Sequence, residues 1–325
     1  MNLAQILKTQ EDNGSIIRVD GRDYNNTDGI PKEFALMLAH SAPTHTLPTL
    51  SELTAYDLLL PLRTLLYRVN SPSIRTSTSI ASITRASNQS MLLHTMLTTL
   101  APLPEYTTGL LRETTIDGTT ISMNLDIVAP GGVLKLLKVD TSSVVGKLAD
   151  ESRLIGASRP SLQQLYDNYP YTFKYVFELS IGRYLAPDVI TADHGYILLH
   201  LTNNCQFKAL QINSERRYRL YSIADVESFI RSKLLDLKQY IQTGTMPECT
   251  DSERGLQPAE FKVQKLNKSN KWVTVRNSKT DSLKTAQQYL LQHGENSTLK
   301  IHTTPAIYLN CLSCPAKSMC SQFNG

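Results

Sequence analysis

Four cysteines carry the clearest chemical signal in the sequence. Three of them, Cys311, Cys314 and Cys320, share a ten-residue segment as C-x2-C-x5-C, and Cys249 lies well upstream. Four thiolates can hold an iron–sulfur cluster or a zinc ion, because both accept sulfur ligands. If Cys249 binds the same metal, it closes a long loop and so lowers the conformational entropy of the unfolded chain. We therefore expect a metal centre here, iron–sulfur or zinc, rather than ordinary reduced thiols. Cys205 stands apart and is predicted not to be a ligand.

A basic segment lies between Cys249 and the three clustered cysteines. From Arg254 to Lys284 it contains eight Lys or Arg residues and two acidic ones. Lysines attract phosphates, and an exposed tryptophan stacks on an unpaired base for about 1–3 kcal/mol. The alternative is a solvated hairpin whose tryptophan packs against the next helix. We predict DNA binding by the following residues of this hairpin: Lys262, Lys265, Lys268, Lys271, Trp272 and Arg276.

A second basic cluster comprises Arg216, Arg217 and Arg219, interleaved with tyrosines. It is predicted to contact DNA as well. The sequence contains no regular recognition-helix motif of the kind that reads duplex DNA in the major groove. This favours single-stranded DNA as the partner.

Composition restricts the class of protein. The 325 residues suffice for one large domain or two modest ones. Hydrophobic residues make up 41% and charged residues 19%, which is typical of globular and not of disordered chains. The net charge of +4 is too small to indicate a partner by itself. No apolar run is long enough to cross a bilayer, so we expect a cytoplasmic protein with no membrane partner.

Hydrophobic periodicity and turn residues predict an α/β core over residues 51–245. It begins with a helix interrupted by Pro61, followed by a Ser/Thr-rich loop at residues 71–87. Asp-Gly at residues 117–118 and Pro-Gly-Gly at residues 130–132 predict a meander of three strands. The order of elements indicates a mixed central sheet flanked by helices.

Segments on either side complete the predicted organisation. Residues 1–50 are predicted to be an N-terminal extension. Two further strands of the core are expected at residues 195–202 and 209–213; residues 216–223 follow them, before a long helix that ends near Gly244. Residues 246–325 then predict a small ββαβ module whose two ends are held together by the cysteine site.

The residues around the cysteines resemble those of a known family. The segment from Cys249 to Arg254, the Lys-rich hairpin, the Ala/Gln helix and the clustered cysteines are similar to phage-encoded RecB-like nucleases of the PD-(D/E)XK superfamily. The likeness extends through the order of elements to about Ser51. It implies a nuclease-like fold and a 4Fe-4S cluster on the four cysteines, with Zn²⁺ as the alternative. A phage-encoded protein would act in the host cytoplasm.

The resemblance also assigns the remnants of a catalytic site. The family has a His on a helix, an Asp on a strand and (D/E)-x-K on the next strand, which correspond to His94, Asp126 and Lys138. The (D/E) position is Leu136, and an apolar side chain cannot bind a hard cation. We therefore expect no catalysis, unless Asp140 on the same strand face replaces the lost carboxylate. Without catalysis, the His would pack in or near the core, the Asp would cap a turn, and the Lys would extend to solvent.

These observations support several hypotheses. The first is a catalytically degenerate nuclease-fold protein that binds single-stranded DNA. It would recruit a polymerase or another protein of phage transcription, replication or recombination. The second is an active Mg²⁺- or Mn²⁺-dependent exonuclease that uses Asp126, Lys138 and a displaced carboxylate. The third is a protein-binding scaffold or inhibitor.

Overall fold

The structure, a computed structural model, describes residues 16–19, 22–25, 48–70, 78–156, 158–203, 206–212, 219–267, 269–275, 278–293, 299–312, 314 and 320–324. Four predicted DNA-binding residues, Arg216, Arg217, Lys268 and Arg276, lie outside the described residues, and so does Cys205. Most of the predicted N-terminal extension also lies outside them.

The strands belong to a large central sheet and to smaller sheets. In chain order they are β1 (Ile16–Val19), β2 (Arg22–Asn25), β3 (Glu52–Thr54), β4 (Thr78–Ser79), β5 (Thr107–Ile116), β6 (Thr119–Ala129), β7 (Val133–Asp140), β8 (Gly195–Leu201), β9 (Gln206–Ile212), β10 (Leu256–Gln257), β11 (Glu260–Leu266), β12 (Trp272–Thr274), β13 (Leu299–Thr304) and β14 (Ile307–Tyr308).

The helices pack around the central sheet and within the C-terminal part of the chain. In chain order they are α1 (Leu62–Asn70), α2 (Ile80–Leu100), α3 (Ser142–Ile155), α4 (Leu162–Asn168), α5 (Pro170–Leu185), α6 (Ile223–Thr243), α7 (Asp251–Arg254), α8 (Leu283–His293), α9 (Leu309–Leu312) and α10 (Ser321–Asn324). Among the helices that the structure describes, none combines the length and the apolar character that a membrane crossing requires.

The central sheet is mixed, as predicted. Its order is β3-β6-β7-β8-β9, and β5 pairs with β6. β3 runs parallel to β6 and β7 parallel to β8, whereas the other neighbours are antiparallel. Asp117 and Gly118 both have positive φ in the tight turn between β5 and β6, which confirms the predicted Asp-Gly hairpin.

Helix α5 is the central helix of the fold. It contacts strands β5 to β8 on one side and α3, α4 and α6 on the other. Its sequence is apolar almost all round, as expected for a helix covered on both sides. Phe173, Phe177, Phe229 and Tyr166 form one aromatic cluster between α4, α5 and α6, with neighbouring ring centroids 5.1–5.8 Å apart. Helix α2 packs against β7.

Some predicted elements differ from the structure. The loop predicted at residues 71–87 is wrong in its second half, because α2 begins at Ile80 and its packing on β7 outweighs the weak helix propensity of Ser and Thr. The helix predicted around Pro61 forms as an α-helix only after this residue; β3 and a short 3-10 helix at Asp57–Leu59 lie before it. The two strands predicted at residues 195–202 and 209–213 correspond to β8 and β9. The described residues before the helix cap at Ser222 are irregular. The long helix ends at Gly244 in the left-handed conformation, as predicted.

The C-terminal part has the predicted strand–strand–helix–strand order. β11 pairs with β12 and with β13 in one antiparallel sheet. Helix α8 contacts this sheet, and Val263 and Ala286 are fully buried. β10 and β14 pair separately. In the N-terminal part, β1 and β2 form a hairpin that pairs with β4.

We expect Gly182→Ala to lower the free energy of unfolding by about 1–3 kcal/mol, because of overpacking. Gly182 lies where α5 meets the sheet, and an added Cβ would collide with Cδ2 of Leu134, which is fully buried. Gly146→Ala in α3 is the matched control, because its Cβ would meet nothing within 4 Å. This change should instead raise stability by about 0.5–1 kcal/mol. Urea denaturation of both variants measures the difference, and equal effects would contradict the close approach.

Candidate functional site

Strands β6 and β7 separate shortly after their connecting turn, and Asp126 lies at this point. The strands pair only from Ala129↔Val133 to Ile127↔Lys135. Beyond this, the Asp126 Oδ2 accepts a hydrogen bond of 2.7 Å from the Leu137 N–H. A buried N–H that loses its strand partner needs another acceptor. The Asp126 carboxylate is therefore fixed where the sheet opens.

Lys138 meets a carboxylate that the sequence analysis did not identify. Its Nζ donates to the Glu178 Oε1 at 3.0 Å. Glu178 lies on α5, and its side chain is 4% exposed, compared with 21% for Lys138. The carboxylates of Asp126 and Glu178 are close enough to affect each other and Lys138 electrostatically. The site therefore combines carboxylates from β6 and α5 with an ammonium from β7.

Burial and charge act in opposite directions at this site. Burial raises the pKa of Asp126 to about 6, although the Leu137 N–H and the Lys138 ammonium favour its ionised form. Burial also disfavours the charge on Lys138, but attraction to Glu178 and Asp126 outweighs it, so the pKa of Lys138 is raised. Lys138 is therefore charged at neutral pH.

One oxygen of the site has an unused hydrogen-bonding capacity. The Glu178 Oε2 is buried and has no hydrogen-bond partner among the described residues. When all three groups are ionised, two carboxylates face one ammonium, so the site has a net negative charge. A buried acceptor without a donor is costly, and a cation beside it would remove that cost.

Glu178, and not Asp140, is the carboxylate paired with Lys138. Leu136 is 1% exposed and belongs to the core, so it offers no ligand. The Asp140 Oδ1 accepts from the Thr141 N–H at 2.9 Å, and its Oδ2 lies 4.0 Å from the Lys174 Nζ. One signal could have identified Glu178, because an acidic residue inside an otherwise apolar buried helix requires a partner.

His94 is exposed on α2. Within the described residues, no contact joins its side chain to Asp126 or Lys138. Gln89 of the same helix does reach the site, where its Nε2 donates to the Leu137 carbonyl at 3.2 Å. The N–H of Leu137 is thus bound by Asp126, and its carbonyl is bound by Gln89.

The clustered cysteines lie against α1 and against the segment that contains Cys249. The Thr64 Oγ1 is 3.8 Å from the Cys314 Sγ. The backbone N–H and carbonyl of Cys249 both bond to the Gln322 side chain at 2.9 Å. Gln322 follows Cys320 by two residues, so Cys249 and Cys320 are held in the same region.

Two arginines lie near thiols of this group. Burial alone would lower their pKa values, but the Cys320 thiol raises the pKa of Arg63 and the Cys311 thiol raises that of Arg254. The Nε of each guanidinium is buried and has no partner among the described residues. Four thiolates on one metal carry negative charge, and arginine N–H donors near the sulfurs would stabilise it.

The thiols are not gathered at ligand distance. Among the described residues, no three His, Cys, Asp or Glu side chains are placed to hold a metal ion. Burial raises the pKa of Cys249 to about 12; Glu253 and the thiols of Cys320 and Cys314 add to this, and Arg63 opposes it. Four thiols with two guanidiniums nearby are the donor type that a metal–thiolate centre uses, whereas the described positions of the thiols are not at ligand distance.

Helix α7 fixes the position of Cys249 relative to the core. Thr250 and Glu253 form a capping box at its start, and the Tyr166 hydroxyl donates to the Glu253 Oε1 at 2.5 Å. The Tyr166 ring lies 4.4 Å from the ammonium of Lys233. This ammonium also donates to backbone carbonyls in the segment before α1.

The basic hairpin presents its tryptophan partly to solvent. Trp272 is 39% exposed, and the Lys300 Nζ lies 4.0 Å from its ring centroid. Lys300, on β13, was absent from the sequence prediction. Lys265 and Lys271 are exposed, whereas Lys262 forms an ion pair with Glu260. Arg219, from the second basic cluster, is exposed and lines a separate cleft.

Comparison with known proteins assigns no family. No protein-family model matches the sequence, and no curated protein matches it either. Among solved structures, the chain is similar to that of SSO0001, with a TM-score of 0.38 and 14% identity over 69% of this chain and 89% of the other. It is also similar to a "Putative exonuclease" from Eubacterium rectale, with a TM-score of 0.28 and 10% identity over 57% of this chain and 65% of the other. Both TM-scores lie below 0.5, so these likenesses carry neither a family nor an activity.

We expect Asp126→Asn to stabilise the protein at pH 7.5 and to have little effect near pH 4. The folded state binds a proton at Asp126 more tightly than the unfolded chain does, because the pKa rises from 3.8 to about 6. Its charge therefore lowers stability progressively as the pH rises through this window. Asn keeps an acceptor for the Leu137 N–H without the charge, and the expected gain at pH 7.5 is about 1–2 kcal/mol.

Urea denaturation in EDTA at both pH values measures this difference. EDTA removes divalent cations, which would themselves favour the ionised carboxylate. A gain of equal size at both pH values would contradict the raised pKa.

Proposed function

We propose that this chain is a divalent-metal-dependent nuclease that hydrolyses DNA, with Asp126, Glu178 and Lys138 as its catalytic residues. One observation carries the proposal. Glu178 reaches Lys138 from α5 and offers the second carboxylate that Leu136 cannot provide. The resemblance to RecB-like nucleases supplies the reaction class.

Mg²⁺ or Mn²⁺ fits the donor set. Mg²⁺ in phosphoryl-transfer sites is bound through one or two carboxylates and keeps several water molecules, so a cluster of three acidic side chains is not required. Asp126 and Glu178 would hold the ion, and the unpartnered Glu178 Oε2 would be one of its ligands. The bound ion would stabilise charge on the phosphate and lower the pKa of a water molecule.

The residues of the chain have distinct roles in this proposal. Lys138 remains protonated, so its ammonium can stabilise the negative charge that develops on the phosphate during attack. The Leu137 N–H fixes one oxygen of Asp126 and so orients the carboxylate before the substrate binds. Lys174, half-buried one turn before Glu178 on α5, adds positive charge for a neighbouring phosphate.

The basic module would guide a single strand toward this site. Trp272 offers an exposed ring for stacking on a base, and Lys265, Lys271 and Lys300 add phosphate attraction on the same hairpin and the adjoining strand. Stacking on an aromatic ring requires an unpaired base, which favours single-stranded over duplex DNA.

A second candidate function is DNA binding without cleavage. It is favoured by the direct ion pair between Lys138 and Glu178, because the ammonium already neutralises one of the two buried carboxylates. In that case the protein would hold exposed strands for a polymerase or another protein of replication, recombination or transcription.

The four cysteines are proposed to hold a 4Fe-4S cluster, or alternatively Zn²⁺. Support comes from the Arg63 and Arg254 guanidiniums, which lie near two of the thiols and each retain a free buried N–H. The role would be structural, because the cysteines lie between α1, α7 and α10 and would tie these elements together.

Labelled single-stranded DNA with Mg²⁺ or Mn²⁺ tests the nuclease. We expect cleavage by the natural sequence and a loss of at least about 100-fold in Glu178→Gln, because a metal ligand is removed without a change of shape. Asp140→Asn is the matched control on the same sheet and should keep its activity. Binding is measured in parallel, over a range of salt concentrations.

The outcomes distinguish the two candidates. Cleavage that survives in Glu178→Gln would overturn the assigned catalytic residue. Salt-sensitive binding with no cleavage under either metal would overturn the nuclease and support the second candidate.

Anaerobic purification followed by elemental analysis tests the cysteine site. We expect iron and sulfide with a brown colour, or zinc without colour, at the four cysteines. Cys314→Ser should lose the metal and lower the free energy of unfolding by about 2 kcal/mol or more. Cys205→Ser, outside the group, is the control and should retain the metal. A metal-free natural protein of unchanged stability would contradict the proposal.

A further inference from the structure

We infer that a cleft between α4, α5 and α6 is a second site, which binds a small phosphorylated ligand of nucleotide size. The cleft has a volume of about 1030 Å³. This is just above the usual range of small-molecule sites, about 300–1,000 Å³. Its lining includes three arginines from different parts of the chain: Arg159, Arg183 and Arg219.

The three guanidiniums lack carboxylate partners. Within the described residues, none of Arg159, Arg183 and Arg219 forms an ion pair. Other arginines of the chain do pair with carboxylates, namely Arg68, Arg112, Arg153 and Arg231. Unpaired guanidiniums around one cleft attract anions, and their planar donor groups bind phosphate oxygens in pairs.

The acidic residues of the cleft are already engaged. The Asp225 Oδ2 accepts from the Ser222 hydroxyl at 2.6 Å in the capping box of α6. Asp193 lies 3.3 Å from the Nδ1 of His194. Among the described residues of the lining, the three arginines outnumber these two carboxylates, so this part of the cleft carries net positive charge.

The floor of the cleft is anchored to α5 and to the segment before α4 by hydrogen bonds of Tyr221. Tyr221 is buried, its N–H donates to the Ser180 Oγ of α5 at 3.1 Å, and its hydroxyl donates to the Pro160 carbonyl. The Arg159 guanidinium lies 5.6 Å from the centroid of the same ring. This anchoring fixes the backbone beside Arg159 and Arg219 before any ligand binds, which lowers the entropic cost of binding.

Polar groups for the rest of a ligand come from α6. Ser228 and Ser232 are exposed, lie one helical turn apart and line the cleft. Their hydroxyls can donate to or accept from the sugar or the base of a nucleotide. Arginines for the phosphates and hydroxyls for the remainder match a nucleoside phosphate better than an apolar molecule.

The cleft is separate from the candidate active site. Its lining contains none of Asp126, Lys138 and Glu178. Arg183 follows Glu178 by five residues on α5, which turns it about 140° away around the helix axis. Glu178 contacts β7, whereas Arg183 lines the cleft beside α6. The two sites therefore lie on opposite sides of one helix.

Calorimetric titration of the full chain in EDTA tests this site. The probes are pyrophosphate, thymidine triphosphate, thymidine and a short single-stranded oligonucleotide. We expect the first two to bind, thymidine not to bind, and affinity to fall as salt rises. The double variant Arg183→Gln/Arg219→Gln should lose affinity about tenfold or more. Arg153→Gln, which removes an exposed arginine on α3, should bind like the natural sequence.

Two results would overturn the inference. One is no binding of pyrophosphate and triphosphate, or equal binding by the double variant with its fold intact by circular dichroism. The other is oligonucleotide binding alone that is lost in the double variant, which would assign the cleft to a DNA strand. The same titrations with Glu178→Gln separate this site from the nuclease, because that change should leave small-ligand binding unchanged.

Discussion

The partly buried ammonium of Lys138, paired with Glu178 and close enough to Asp126 to interact with its charge, is the constraint on which the architecture depends. Taking these charges out of water is costly, and only close opposite charges offset the cost. The three groups come from β7, β6 and α5, so the distance between helix and sheet must be correct at this point. Gly182, one turn after Glu178, allows this distance, because α5 approaches the sheet there without a Cβ. The close packing at Gly182 and the charge balance at Lys138 therefore both depend on the same distance between α5 and the sheet.

Local chemistry predicted much of the fold. The Asp117-Gly118 dipeptide can adopt two positive φ angles, so the hairpin of β5 and β6 was readable from two residues. The start of α2 was not predictable from the sequence, because Ser and Thr are weak helix formers, whereas the helix as a whole is stabilised by packing on the sheet. Helix propensity is therefore a poor predictor where tertiary packing stabilises the helix.

The residues of the candidate site also fall into two groups: those that the sequence identified and those that only the folded chain reveals. Asp126, Lys138 and the four cysteines stand in recognisable spacings, so the sequence identified them. Glu178 lies 40 residues from Lys138, and no local pattern connects the two. Arg63 and Arg254 were missed for the same reason, because their relation to the thiols exists only in the folded chain. The residues that the sequence did not identify are thus charged side chains that lie next to an identified group only after the chain has folded.

Arg63 has a consequence for the synthesis of the chain. Its guanidinium bonds to the Pro247 carbonyl and to the Ser321 hydroxyl, 184 and 258 residues further on. A ribosome adds about 5–20 residues per second, so helix α1 waits for the second partner on the order of 10–50 s. During this interval the Arg63 guanidinium has Tyr67 of the same helix beside it, but its two distant acceptors have not yet been synthesised. The docking of α1 against the C-terminal part of the chain is therefore a late step of folding, completed only after residue 321 has been added.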